Sequence, residues 1–309
     1  MSRNTIISFG VVGLLALVIL VQNVKFGNDI PKLKQWIDPA DSIEVKSKDY
    51  SMRLYMKEGA WMVNDEAYPA DENSAGNLEM KVRDIRLTDL VSEEKSYDRY
   101  ELTDEKAVTV TVRKGEAVLR TLVIGKAGGK SSHAFVRIDS RPEVYLAAGI
   151  QREEFTPSLD SMRDKRIFDL KGKEVESFTL SSGGRTYSFY KKTVTPEKAG
   201  ADVKPDTSWY CKGYDAKPLD EGAVSSILYV FSPLRAVNYP ENKKPDELGR
   251  LYASAVIKSG GVDYDVKIFS GREKEYNYAV SSKSQYIFTM GDWQTEKLVI
   301  KNIKDLMKK

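Results

Sequence analysis

The sequence predicts an α+β fold: one N-terminal transmembrane helix followed by two tandem repeats of an antiparallel-sheet unit, each with one main helix. Three observations predict it: an uncharged run from Asn4 to Val24, a change after Ile37 to short alternating strands, and a match of the two halves element by element. The boundaries are a signal anchor over 1–25, a stalk over 26–41, a first unit over 42–161, a linker over 162–174 and a second unit over 175–309. A chain of 309 residues with 41% hydrophobic and 30% charged composition has the length for two domains and the balance of a globular protein.

The anchor comes first. As a helix rising about 1.5 Å per residue, Asn4–Val24 reaches roughly 30 Å, the depth of a bilayer's hydrocarbon core. Arg3 before it favours a cytoplasmic amino end and an exported remainder. Lys25, Lys32 and Lys34 weaken that tendency without reversing it. A cleaved signal peptide competes with this reading, but no small-x-small site and no lipobox cysteine follow the run. A buried core helix also competes; with no polar face it would need a large core on every side. We read an uncleaved, single-span signal anchor. Phe26–Asp41, with Pro31 and Pro39, reads as a stalk.

Each unit opens with strands that end in a tryptophan, Trp61 in the first and Trp209 in the second. A helix follows in each. Asp71 precedes Leu78, Val82 and Ile85, and Asp220 precedes Ile227, Phe231 and Leu234 at the same offsets, a helical apolar stripe behind an N-cap residue. Alternating strands finish each unit, with turn glycines at Gly115 and at Gly260-Gly261 marking hairpins. One helix over one face of an antiparallel sheet is an α+β arrangement. The basic segment from Met162 to Glu174 joins the units, and the insert Thr193–Asp206, found only in the second, reads as a surface loop.

In order along the chain these motifs are Trp61, Ala70-Asp71, Ile124-Gly125, Phe135-Val136-Arg137, Val144-Tyr145 and Arg163-Asp164-Lys165. Together with the single span, the set resembles a bacterial domain-of-unknown-function family of membrane-anchored proteins encoded beside gliding-motility-type ABC transporters. The resemblance runs from about Ser42 to the end of the chain. It implies an accessory subunit acting outside the cytoplasm beside a transporter permease, and it carries over no catalytic residues.

Candidate chemistry is sparse. Gly125 and Gly129, ahead of Gly-Lys-Ser, suggest a phosphate-binding loop, but they enclose one residue too few and no helix pattern follows. In the second half the matching turn is shorter, with Gly271 in place of Gly125 and Tyr278 in place of Phe135, so the segment reads as a hairpin turn and no nucleotide is expected. Cys211, the one cysteine, reads as a small apolar strand residue beside Trp209 and Tyr210, and His133, the one histidine, as a solvated loop residue. Asp65, Glu66, Asp71 and Glu72 cluster, but counting from Asp65 puts Pro69 and Ala70 where a calcium loop needs an acid and a glycine.

Tyr276 and Tyr278 alternate with basic residues, a pattern read as packing rather than as a stacking platform. With 48 basic and 45 acidic residues spread along the chain, no basic field for nucleic acid stands out. In the C-terminal stretch Leu298, Ile300 or Ile303, and Leu306 fall on one side of a possible helix with lysines on the other, a candidate packing or interface segment.

The sequence therefore leads to no expected catalytic, cofactor-binding or metal-binding residue. It points to a non-catalytic, membrane-anchored extracytoplasmic scaffold, an accessory subunit of an ABC-type, gliding-motility-like transport complex. The competing classes are a cell-envelope hydrolase using a carboxylate pair, which 45 acidic residues make possible without singling one out, and a solute sensor.

Overall fold

Alternating apolar and polar residues lay down the sheets, and the computed structural model describes them over residues 30–129, 132–194, 206–273 and 275–308. Asn4–Val24 and most of the insert Thr193–Asp206 lie outside the described residues. The chain divides between Asp164 and Lys165 into two units.

In the first unit β1 (Ser42–Ser47), β2 (Tyr50–Lys57), β3 (Ala60–Val63) and β4 (Tyr68–Pro69) lead into helix α1 (Glu72–Arg83). Then come β5 (Arg86–Ser92), β6 (Val108–Lys114), β7 (Ala117–Ala127), β8 (His133–Ile138), β9 (Val144–Ala148) and a one-turn helix α2 (Leu159–Met162). Among the described residues they form a nine-stranded sheet in the order β4-β3-β2-β1-β6-β7-β8-β9-β5. Pairing Ile43 with Leu54 and Val112, and Val45 with Met52 and Val110, puts these six side chains on one face. Ala75, Leu78 and Val82 of α1 cover that face. Fully burying a side chain such as Leu78 or Val82 contributes roughly 1.5–3 kcal/mol.

Residues 30–41, the described part of the expected stalk, lie as a strap on this core, with Ile30, Leu33 and Trp36 packed against it. Buried Glu79 of α1 accepts hydrogen bonds from Trp36 Nε1 at 2.9 Å and from the Ala40 amide at 3.1 Å. Arg120, 1% exposed, donates to the Val82, Arg83 and Lys34 carbonyls. One guanidinium thus satisfies carbonyls at the end of α1 and holds the strap.

The second unit repeats the plan. Its elements are β10 (Arg166–Phe168), β11 (Val175–Ser182), β12 (Arg185–Val194), β13 (Asp206–Cys211), α3 (Glu221–Leu228), β14 (Leu234–Arg235), β15 (Leu251–Ser259), β16 (Val262–Glu273), β17 (Tyr276–Ser281), β18 (Ser284–Met290) and α4 (Asp292–Leu298). The described sheet order β13-β12-β11-β15-β16-β17-β18 repeats β3-β2-β1-β6-β7-β8-β9 strand for strand. Strand β10, in the expected linker, pairs with β14, and its Ile167 and Phe168 are buried.

Four local devices recur. Asp71 Oδ1 accepts the Ser74 amide and Asp220 Oδ1 the Ala223 amide, each at 2.8 Å, capping α1 and α3. The amides of Ala70 and Leu219 donate to the carbonyls of Trp61 and Trp209. The last residues of each unit return to the segment before its helix: Arg163 bridges Ala70, and Met307 bridges Leu219. Lastly, Gly125 and Gly271 each lie beneath a backbone carbonyl, of Tyr100 and Leu248 respectively, where an added Cβ would collide with it. That close approach accounts for the first glycine of the phosphate-loop-like stretch.

The expected fold class is corrected on two points. Among the described residues strand outweighs helix by 46% to 19%, so the protein is mostly antiparallel sheet rather than the expected α+β. Helix α3 ends after eight residues, and a 3-10 turn over Tyr229–Phe231 leads to Pro233, which cannot extend a helix. Among the described residues, moreover, no helix is long and apolar enough to cross a membrane. The longest of them, α1, has twelve residues and carries Glu72, Glu79, Lys81 and Arg83. The transmembrane helix is therefore not part of the observed fold.

Candidate functional site

The residues that the sequence raises for chemistry lie apart. Cys211 is buried on β13, and burial pushes its thiol up to about 11, which keeps it protonated at neutral pH. His133 opens β8 and lines a cavity of about 310 Å³ with Gly128, Ser132, Gln151 and Arg152. Arg152 there pairs with Glu101 at 2.9 Å. Lys130 and Ser131 of the Gly-Lys-Ser stretch lie outside the described residues. Of the acidic group, Asp71 is engaged as the cap of α1. Among the described residues no three His, Cys, Asp or Glu side chains come together to hold a metal ion. Tyr278 is buried beneath Lys243, whose Nζ lies 4.6 Å from its ring centroid, and so presents no open face.

The two repeats differ most usefully in a groove between the capped helix and the segment that closes the unit. In the first unit Ser74, Asn77 and Leu78 of α1 face Ser161 and Met162 across a cavity of about 250 Å³. Lys81 on α1 reaches across it to Glu154, with Nζ to Oε1 at 2.8 Å. Both partners are roughly one-third exposed, at 37% and 36%, so the pair adds at most about 1 kcal/mol, and the cavity remains beside it.

In the second unit, counting from the capping aspartates puts Ala223, Ser226 and Ile227 at the positions of Ser74, Asn77 and Leu78. Counting from the bridged residues Arg163 and Met307 puts Asp305 and Leu306 at those of Ser161 and Met162. The cavity here is about 470 Å³, with Trp293, Val299 and Ile300 added to its walls. Lys297 Nζ donates to Ser226 Oγ at 3.0 Å, and no ion pair among the described residues crosses the groove. Trp293 keeps 55% of its surface exposed. Glu296, Lys297, Lys301 and Asp305 complete the lining. An apolar floor with an aromatic rim and a few polar groups is suited to holding a side chain or small apolar group.

The expected C-terminal amphipathic helix does not form as one piece. Gln294 Oε1 accepts the Gly291 amide at 3.0 Å, fixing the start of α4, and the helix ends at Leu298. Val299 is extended, and the Asn302 side chain accepts the Lys304 amide to start a 3-10 turn over Ile303–Leu306. Leu298 and Ile303 go to the core, while Ile300 and Leu306 line the groove. Sequence reasoning missed Trp293, which stands alone without a periodic neighbour. The signal available was comparison of the repeats, since nothing in the first unit matches an exposed Trp on this edge.

The profile of a domain of unknown function, DUF4340, matches residues 61–250. No curated protein and no solved structure matches the chain. The matched region begins at Trp61 in β3, takes in Gly125 and both capping aspartates, and ends at Arg250, ahead of β15. It covers more than half of the 309 residues, and the chain belongs to the DUF4340 family of domains of unknown function.

Proposed function

We propose that the protein is a non-catalytic accessory scaffold on the extracytoplasmic side of the bacterial inner membrane, serving an ABC-type, gliding-motility-like transport complex. The observation that carries the reading is the groove of the second unit. One copy of a duplicated module carries an ion pair across a smaller cavity at this position, whereas the other has a larger cavity with exposed Trp293 in its lining. Solvent-facing aromatic surface beside a preformed concavity is what a docking protein presents. The location and the transporter parts of the reading rest on the family resemblance of the motifs from Trp61 to Lys165.

Affinity purification of the intact chain from detergent-solubilised membranes tests it. A transport ATPase and permease are expected to co-purify in stoichiometric amount; their absence, with the chain intact and abundant, refutes the transporter assignment. Fractionation with protease protection of a C-terminal tag tests the location separately.

A further inference from the structure

We propose that residues 30–41 form a releasable strap, which lifts off the first unit as one piece while the sheet and α1 stay folded. Its release gives that unit a longer connection to the residues ahead of it. The inference is independent of the scaffold reading. Every hydrogen bond that holds the strap involves a side chain: Arg120 donates to the Lys34 carbonyl, Lys114 Nζ donates to the Pro39 carbonyl at 2.8 Å, and Glu79 accepts from Trp36 Nε1 and the Ala40 amide. Among the described residues no backbone–backbone hydrogen bond ties residues 30–40 to the sheet. The ladder starts at Asp41, whose amide donates to the Arg113 carbonyl at 3.0 Å and whose Oδ2 accepts the Gly115 amide at 2.7 Å. The hinge therefore falls between Ala40 and Asp41.

The charges beneath the strap favour release. Glu79 and Arg120 are 7% and 1% exposed, yet neither forms an ion pair among the described residues, and Arg120 Nε is buried without a hydrogen-bond partner. Trp36 touches both, with its indole N–H on Glu79 and its ring 5.2 Å from Arg120 Cζ. Closing the strap desolvates two charges and opening returns them to water, which offsets the apolar contacts of Ile30, Leu33 and Trp36. The second unit makes the same contact without the charges. Counting from Asp71 and Asp220 puts Leu228 at the place of Glu79, and the pairing register puts Tyr264 at that of Arg120. There Phe168, in the segment that enters the unit, has its ring 5.2 Å from that of Tyr264. Backbone bonds tie this segment down, from the Leu170 amide to the Phe231 carbonyl and from the Ala236 amide to the Lys165 carbonyl. One copy of the module thus fastens its entering segment with ladder bonds and rings, the other with a clasp for which water competes. Twelve residues released as extended chain supply up to roughly 40 Å of reach.

Residue-resolved hydrogen exchange on the full chain in detergent micelles tests this. The Ala40 amide is expected to exchange at least about tenfold faster than the amides inside α1, at a rate nearly independent of low urea, the mark of a local opening. Trp36→Ala should speed Ala40 further and leave α1 unchanged. Thiol labelling of Ala40→Cys against Ala75→Cys, both at buried positions, gives the same comparison without relying on amide chemistry, with the unsubstituted chain as the background for buried Cys211. Exchange of Ala40 at the rate and urea dependence of α1 overturns the proposal, because strap and unit then open together. A Trp36→Ala chain in which α1 speeds up as much as Ala40 overturns it too. These readings are made on the purified chain, so they hold whether or not a transporter co-purifies.

Discussion

Tyr50 shows how one half-buried polar group sets a condition on stability. Its hydroxyl donates to the Pro157 carbonyl at 2.7 Å, and burial raises its pKa to about 12. The folded state favours the neutral phenol, while an unfolded tyrosine ionises near pH 10. The contribution is therefore full below about pH 10 and is lost as pH rises through about 12. Tyr50→Phe should cost roughly 1 kcal/mol at neutral pH through the lost hydrogen bond and flatten the loss of stability between pH 10 and 12. Urea melts at stepped pH check this, and parallel slopes for the two proteins would refute it. At this scale the sequence was legible where chemistry is local. Asp71 and Asp220 read as caps because a carboxylate ahead of an apolar stripe has one nearby use, and both do cap. Trp293 and Arg120 were not legible, because their roles depend on residues far along the chain, Ile227 for one and Lys34 for the other.

At the scale of elements, glycine separates two kinds of constraint. Gly125 in β7 and Gly271 in β16 sit under backbone carbonyls that cannot step aside, so Gly125→Ala or Gly271→Ala should destabilise its unit by about 2 kcal/mol or more. Gly76 in α1 has open space where a Cβ would go, so Gly76→Ala should stabilise by about 0.5–1 kcal/mol through helix propensity. Urea unfolding of the three variants decides the matter; a neutral Gly125→Ala would mean that the 3-10 turn over Tyr97–Tyr100 shifts freely. Hairpins were readable from turn glycines and alternation. The break between α4 and the following turn was not, because Leu298, Ile300 and Leu306 fit a helical stripe equally well. The Asn302 side chain, which restarts the backbone at Lys304, made the difference.

For the whole molecule, the division at Asp164 and Lys165 leads to an expected pair of unfolding steps. Asp71→Ala should lower one step and Asp220→Ala the other, each by about 1 kcal/mol. Tyrosine and tryptophan emission followed through guanidinium unfolding would show it, and a single step shifted by both substitutions would mean that the units unfold together. Sequence reasoning reached the internal repeat because Trp61 and Trp209, like Asp71 and Asp220, recur at matched places. It overestimated helix because periodicity sees a stripe such as Ile227, Phe231 and Leu234 but not the 3-10 turn and Pro233 that divide it. The strap over α1 escaped notice because its hold comes from Glu79 and Arg120, polar residues that apolar patterning passes over.

The bridges from Arg163 to Ala70 and from Met307 to Leu219 also bear on synthesis. A ribosome releases the chain in one direction, so each module waits for its own final residues before the pairing ahead of its helix can close. The earlier module can lock while the later one is still being made. A nascent chain stalled just short of residue 163 would carry a sheet with its clasp undone, the moment at which a chaperone or protease has its best access.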